Sequence, residues 1–110
     1  RQKKEGQNLT VIGDGEQKRD FVYVGDVVEA NINAATKNID NKFFGQIFNV
    51  GSGKNISINR IAKMISKKIS YLPERPGEAK ATLADITKTK LVLDWHPKMN
   101  LTKWINKYSN

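Results

Sequence analysis

Two short glycine turns, Gly13-Asp14-Gly15 and Gly51-Ser52-Gly53, punctuate this chain, and what flanks them limits the folds open to it. Ahead of the first turn, Leu9-Thr10-Val11-Ile12 alternates as a short strand does, and Phe21 to Val24 reads as the returning strand. Ahead of the second, Gln46 to Val50 reads as a brief buried strand. Helices fill the intervals. Asp26, with Glu29 three positions on, has the form of a capping box and predicts a helix to about Thr36, with Val28, Ile32 and Ala35 as its apolar face. Ser57 caps a second helix, whose Ile58, Ile61, Ala62, Ile65 and Ile69 fall at helical spacing, with Arg60, Lys63 and Lys67 on the wet side. Arg1 to Gly6 reads as the frayed end of a preceding helix, and Pro73, Pro76 and Gly77 make Tyr71 to Gly77 an irregular loop. Lys80 to Ala84 reads as a short strand, and Asp85 caps a helix to about Asp94. Pro97 bars extension of that helix, and Leu101, Trp104, Ile105 and Tyr108 predict a last amphipathic one. Trp95 and Trp104 are the expected core anchors. This alternation is that of an α/β protein, or α+β if the chain is taken as an isolated fragment.

With 110 residues, 38% of them hydrophobic, the chain can bury one core and is too short for two, so 1–110 is expected to form a single unit. Without cysteine, disulfides and thiolate metal sites are excluded, which is compatible with a reducing, cytoplasmic setting. His96 has no ligating neighbours, so no metal site is expected. No apolar stretch is long enough to cross a bilayer, and no leader pattern is present, so no membrane partner is expected. The chain starts at Arg1 and reads as a piece of a longer one. A formal charge of +8 raises the possibility of nucleic-acid binding. The lysines are scattered, with only short pairs such as Lys3-Lys4 and Lys67-Lys68, and no basic run interleaved with aromatics appears. That distribution argues against a nucleic-acid partner.

The residue with the clearest chemistry is Arg19, delivered by the first glycine turn to the start of a strand. A guanidinium is a permanently charged planar fork of donors and suits a phosphate. Taken by spacing alone, it reads as a solvated arginine beside a hairpin turn. The second glycine turn lacks both the lysine-hydroxyl pair of one phosphate loop and the three-glycine spacing of the other, so it reads as a plain turn.

The run from Gly13 to Ala30, containing Arg19-Asp20-Phe21, is followed in order by Phe48-Asn49-Val50-Gly51-Ser52-Gly53, Ser57-Ile58, Arg75-Pro76-Gly77-Glu78, Leu83-Ala84-Asp85-Ile86-Thr87-Lys88 and Leu93-Asp94-Trp95-His96-Pro97. Together these resemble the C-terminal, substrate-binding part of the extended short-chain dehydrogenase/reductase family, the NAD-dependent nucleotide-sugar epimerases and dehydratases. The resemblance implies the substrate-binding portion of an extended Rossmann-type enzyme, with the N-terminal NAD-binding domain absent from this stretch. It carries diphosphate contacts to Arg19 and Arg75, ribose contacts to Glu78, and backbone contacts with the base to Thr10 and Ile12. Many members have an aromatic where Ile12 stands. Lys88 matches a recurrent family lysine without an assigned chemistry.

The family's catalytic Tyr-x-x-x-Lys and its dinucleotide loop are not in this chain, since none of Tyr23, Tyr71 and Tyr108 is followed by lysine at that spacing. No catalytic residue and no NAD binding are therefore expected of this stretch alone. NAD belongs to the full-length parent, and the expected ligand is a UDP-, dTDP- or GDP-sugar. The alternative reading is a stand-alone nucleotide-diphosphate or sugar-binding module. The strand at Ile47 to Val50 would lack a neighbour, and an unpaired edge predicts homodimers or other self-association of the isolated chain.

Overall fold

The computed structural model of the chain describes residues 1–108. It divides into two compact units, one made of residues 1–19, 55–82 and 102 onward, the other of 20–54 and 83–101.

The first unit is built on a parallel pair, β1 (Leu9–Ile12) beside β4 (Ile69–Leu72), with Leu9 opposite Ile69 and Ile12 opposite Leu72. A parallel pair needs a crossover. Part of it is α2 (Ile58–Ile65), which packs on β1 and buries Ala62. Before α2, β2 (Lys18–Arg19) pairs antiparallel with β3 (Ile56–Ser57). The Ser57 hydroxyl accepts the Arg60 N–H at 3.2 Å, the cap expected from the sequence. Val11 on β1 and Ile105 on α4 (Leu101–Tyr108) are this unit's other buried apolar side chains.

In the second unit, α1 (Val24–Thr36) and α3 (Thr87–Leu93) enclose a core of Ala30, Ile86, Leu93 and Trp95, with Ile39, Phe48, Val50, Ala84 and Val92 packed against it. Trp95 donates its indole N–H to the Asp26 carbonyl at 2.9 Å. Asn33 donates to the carbonyls of Leu93 and Asp94 at 3.0 and 3.3 Å, holding the end of α3 against α1.

Several expectations need correction. Phe21 to Val24 is not a strand: the ladder ends at Arg19, and the Asp26 and Val27 N–H groups already bond to the Tyr23 carbonyl and start α1. Asp26 is not the cap. It lies in the first turn, buried, and its carboxylate accepts the Lys98 and Met99 N–H groups at 3.1 and 3.0 Å, while Glu29 pairs with the Lys98 ammonium at 2.8 Å. That partner raises the Lys98 pKa above its ordinary value, first by the hydrogen bond to Glu29 and then by its charge. The buried face of α1 is consequently Asp26, Ala30 and Asn33. The expected apolar stripe is the outer one: Val28 is 50% exposed, Ile32 53%, and Val24, which continues it, 68%.

Gln46 to Val50 forms no strand, because nothing among the described residues pairs with it as a ladder, and Ile47 is 84% exposed. Lys88 instead donates to the Ile47 carbonyl at 3.1 Å with its ammonium over the Phe48 ring, and Thr89 donates to the Asn49 carbonyl at 2.6 Å. Ile69 belongs to β4, since α2 stops at Ile65. The stretch 80–84 makes only a bridge, Ala81 beside Lys18. Asp85 accepts the Thr87 N–H at 3.1 Å, and Ile86 stands at the cap position of α3. Residues 2–6 are a turn bonded as a helix end is: the Glu5 N–H reaches the Arg1 carbonyl at 3.1 Å, and around Gly6, at φ +70°, the Gln7 N–H bonds to the Gln2 carbonyl at 2.9 Å and the Gly6 N–H to the Lys3 carbonyl at 3.1 Å. Trp95 is a core anchor, whereas Trp104 is 39% exposed and lies against the Tyr108 ring.

Candidate functional site

Within the first unit, the site begins at the turn between β1 and β2. Gly13 and Gly15 both adopt positive φ, near +70° and +75°, which glycine tolerates and other residues rarely do. Gly15 also has no room for a side chain, because a Cβ there would collide with the Asn59 amide. Asn59, the second residue of α2, ties the turn together. Its Nδ2 donates to the Asp14 carbonyl at 2.7 Å and to the Glu16 carboxylate at 2.6 Å, and its Oδ1 accepts the Tyr71 hydroxyl at 2.9 Å. Gln17 donates to the Ile12 carbonyl at 2.9 Å. The sequence reading passed over Asn59; the available signal was a buried-side polar residue two positions after the Ser57 cap, opposite a glycine that must stay bare.

The turn opens onto a cleft of about 250 Å³ lined by Ile12, Gly13, Asp14, Glu16, Gln17, Glu74, Glu78, Ala79 and Lys80. Four carboxylates against one ammonium make this lining hostile to a phosphate and generous to hydroxyl and N–H donors. The cation lies at its edge. Residues 80–82 run beside β2, with the Lys18 N–H donating to the Lys80 carbonyl at 2.8 Å and the Thr82 N–H to the Lys18 carbonyl at 3.0 Å. That pairing brings Glu78 to Arg19, whose guanidinium donates to Glu78 Oε1 at 3.3 Å and to the Lys18 carbonyl at 2.8 Å.

Of the five residues singled out in the sequence, Arg19 and Glu78 thus meet, and Ile12 lines the cleft that Glu78 also lines. Thr10 and Arg75 do not line it. The Thr10 N–H and hydroxyl are engaged by the Gln2 amide at 3.1 and 3.0 Å. Arg75 is exposed, three residues before Glu78 on the same loop, and takes no part in the ion pairs among the described residues.

The second unit has its own glycine turn, and here the backbone donors are satisfied from within. The Asp20 carboxylate accepts the Ser52 N–H at 2.7 Å, the Ser52 hydroxyl at 2.6 Å, the Gly53 N–H at 3.1 Å and the Ala84 N–H at 3.2 Å. Burial would raise its pKa, but these hydrogen bonds, the Ser52 hydroxyl first, outweigh it and hold the carboxyl below its ordinary value. No helix of the described residues is long and apolar enough to cross a membrane.

The sequence profile of the GDP-mannose 4,6 dehydratase family matches residues 1–108, and the chain belongs to this family of NAD-dependent nucleotide-sugar epimerases and dehydratases, in the extended short-chain dehydrogenase/reductase class. It is 36% identical over 110 residues to a putative UDP-glucose 4-epimerase of Methanocaldococcus jannaschii, covering 94% of this chain and 34% of that one. A UDP-glucuronate 4-epimerase of Thermodesulfobacterium geofontis is 34% identical over 113 residues, 96% of this chain and 33% of the relative. Among solved structures, the UDP-glucuronic acid 4-epimerase of Bacillus cereus in complex with UDP-glucuronic acid and NAD superimposes with a TM-score of 0.84 at 32% identity, over 96% of this chain and 35% of its own. The UDP-glucose 4-epimerase of Thermotoga maritima with UDP-glucose gives 0.78 at 37% identity, over 90% and 32%. The α/β expectation and the family resemblance both hold. The chain spans about a third of the length of the relatives it matches.

Proposed function

We propose that this chain is the C-terminal, substrate-binding portion of an NAD-dependent nucleotide-sugar epimerase or dehydratase, and that it grips the nucleotide diphosphate part of its ligand. The observation that carries the reading is the pairing of Arg19 with Glu78 at the lip of the carboxylate-lined cleft. The cleft offers acceptors to ribose hydroxyls and base N–H groups, and the guanidinium beside it supplies the fork that a diphosphate needs. Arg75, exposed on the loop that carries Glu78, is the second fork, and the backbone at Ile12 is the surface for the base, joined by Thr10 once the Gln2 amide leaves its N–H. NAD and the proton-transferring residues belong to the part of the protein that carries the family's Tyr-x-x-x-Lys. The exposed Val24, Val28 and Ile32 stripe on α1 is covered by that part, which accounts for an apolar face left facing solvent here. A cytoplasmic setting goes with this reading.

Calorimetric titration of UDP, dTDP and GDP into the chain tests it. Binding that Arg19→Ala weakens about tenfold or more supports the assignment, since charge-assisted bonds are worth roughly 1.5–3 kcal/mol. Absence of heat at millimolar nucleotide removes it. The stand-alone binding module is favoured by one fact, that the cleft and Arg19 lie within a single unit. Turnover of a nucleotide sugar by the whole protein with NAD distinguishes the enzyme from the module.

A further inference from the structure

We infer that Glu78 is an internal competitor for Arg19, so that the arginine is released to a diphosphate only when a ribose draws the carboxylate away. This rests on the nucleotide-binding reading and adds a selection rule to it. Four carboxylates line the cleft, but two are already engaged in the turn: Glu16 accepts from Asn59, and Asp14 accepts the Glu16 N–H at 2.9 Å. Glu78 is the one that both lines the cleft and touches the guanidinium. Its side chain is 35% exposed and that of Arg19 22%, so solvent reaches the pair and it can open. Gly77, just before it, sits at φ +78° in open space, with nothing within 4 Å of where a Cβ would stand.

Two ligands then face different balances. Free pyrophosphate that takes the Arg19 donor now on Glu78 leaves a carboxylate without its cation beside an anion. A nucleoside diphosphate takes the same donor but presents two vicinal hydroxyls, and a carboxylate with two acceptor oxygens can take both. The pair therefore penalises free phosphates and spares nucleotides, which gives Glu78 a specificity role distinct from simply holding ribose.

The experiment is a titration of inorganic pyrophosphate and of UDP into the full chain and its Glu78→Gln, Glu78→Asp and Glu74→Gln variants at fixed ionic strength, with thermal melts to confirm folding. Glu74 lines the same cleft without touching Arg19, so its substitution makes the same change in net charge. The expected result is that Glu78→Gln tightens pyrophosphate by up to about fivefold, the range for partly exposed ion pairs, beyond any effect of Glu74→Gln, while UDP binding does not gain. Glu78→Asp, whose carboxylate is drawn back from Arg19, moves pyrophosphate the same way. Equal shifts from Glu78→Gln and Glu74→Gln, or weaker pyrophosphate binding in folded Glu78→Gln, overturn the competitor role while leaving the nucleotide site intact. If neither UDP nor pyrophosphate binds the unaltered chain, the nucleotide-binding reading fails and the competitor role with it.

Discussion

The two glycine turns look alike in sequence and are put to opposite uses. Gly13-Asp14-Gly15 is held from one side by Asn59 and leaves its other side open, where Asp14 and Glu16 border the cleft. Gly51-Ser52-Gly53 is closed: successive N–H groups that form a concavity suited to an anion already hold one, the carboxylate of Asp20, and Gly53 backs onto Ile86 in the core. What separates the open turn from the closed one here is whether the chain supplies its own anion to the backbone N–H groups. Glycine content alone does not decide it.

The most severe way to break this contrast is Gly15→Ala. The substitution forces a side chain into positive φ, at roughly 1–2 kcal/mol, and drives its Cβ into the Asn59 amide, so the total loss should be about 3 kcal/mol. The prediction is checked by chemical denaturation. A loss below about 1 kcal/mol would mean that Asn59 does not fix this turn.

Asp20→Asn should cost about 2 kcal/mol, since one amide oxygen cannot replace a carboxylate that accepts four hydrogen bonds. The accompanying pH effect has a definite sign. The folded-state pKa of Asp20 is depressed, so its contribution is complete above the unfolded value near 3.8 and is lost as pH falls through the lower folded value. The unaltered chain should therefore lose stability relative to Asp20→Asn only below about pH 4. A difference between the two that stays constant from pH 7 down to 2 would show that the charge is not what closes the second turn.

Self-association offers a smaller effect and a check on α1. The edge strand that motivated the expectation is not formed, but the Val24, Val28 and Ile32 stripe is bare in the chain by itself. Sedimentation equilibrium is expected to show association that Val28→Glu with Ile32→Glu abolishes. A monomer from the unaltered chain would remove the argument that this face is meant to be covered.

These regions also show what sequence could and could not disclose. The first strand and the Ser57 cap were legible because each depends on local spacing. The burial of α1 was not, because Asp26 and Asn33 go inward to bind backbone groups 72 and 60 positions away, and hydrophobic periodicity cannot register a buried polar pair. Strand β4 was hidden by Ile69, which continues the helical spacing of the α2 stripe past the point where that helix ends. Glu78 was singled out by resemblance, whereas its contact with Arg19 depends on a bridge between Lys18 and Ala81 that no local pattern announces.

The finest test of the contrast compares the two glycines of the open turn with each other. Gly13 shares the positive φ of Gly15, but a Cβ at Gly13 would meet Glu74 at 3.7 Å, an ordinary contact. Gly13→Ala therefore carries only the conformational cost, about 1 kcal/mol. The difference of about 2 kcal/mol between the two alanine variants then isolates the collision with Asn59 from the cost of the backbone angle. Equal losses would show that φ alone sets the price at this turn, and Asn59 would then be a spectator of a conformation the glycines adopt without it.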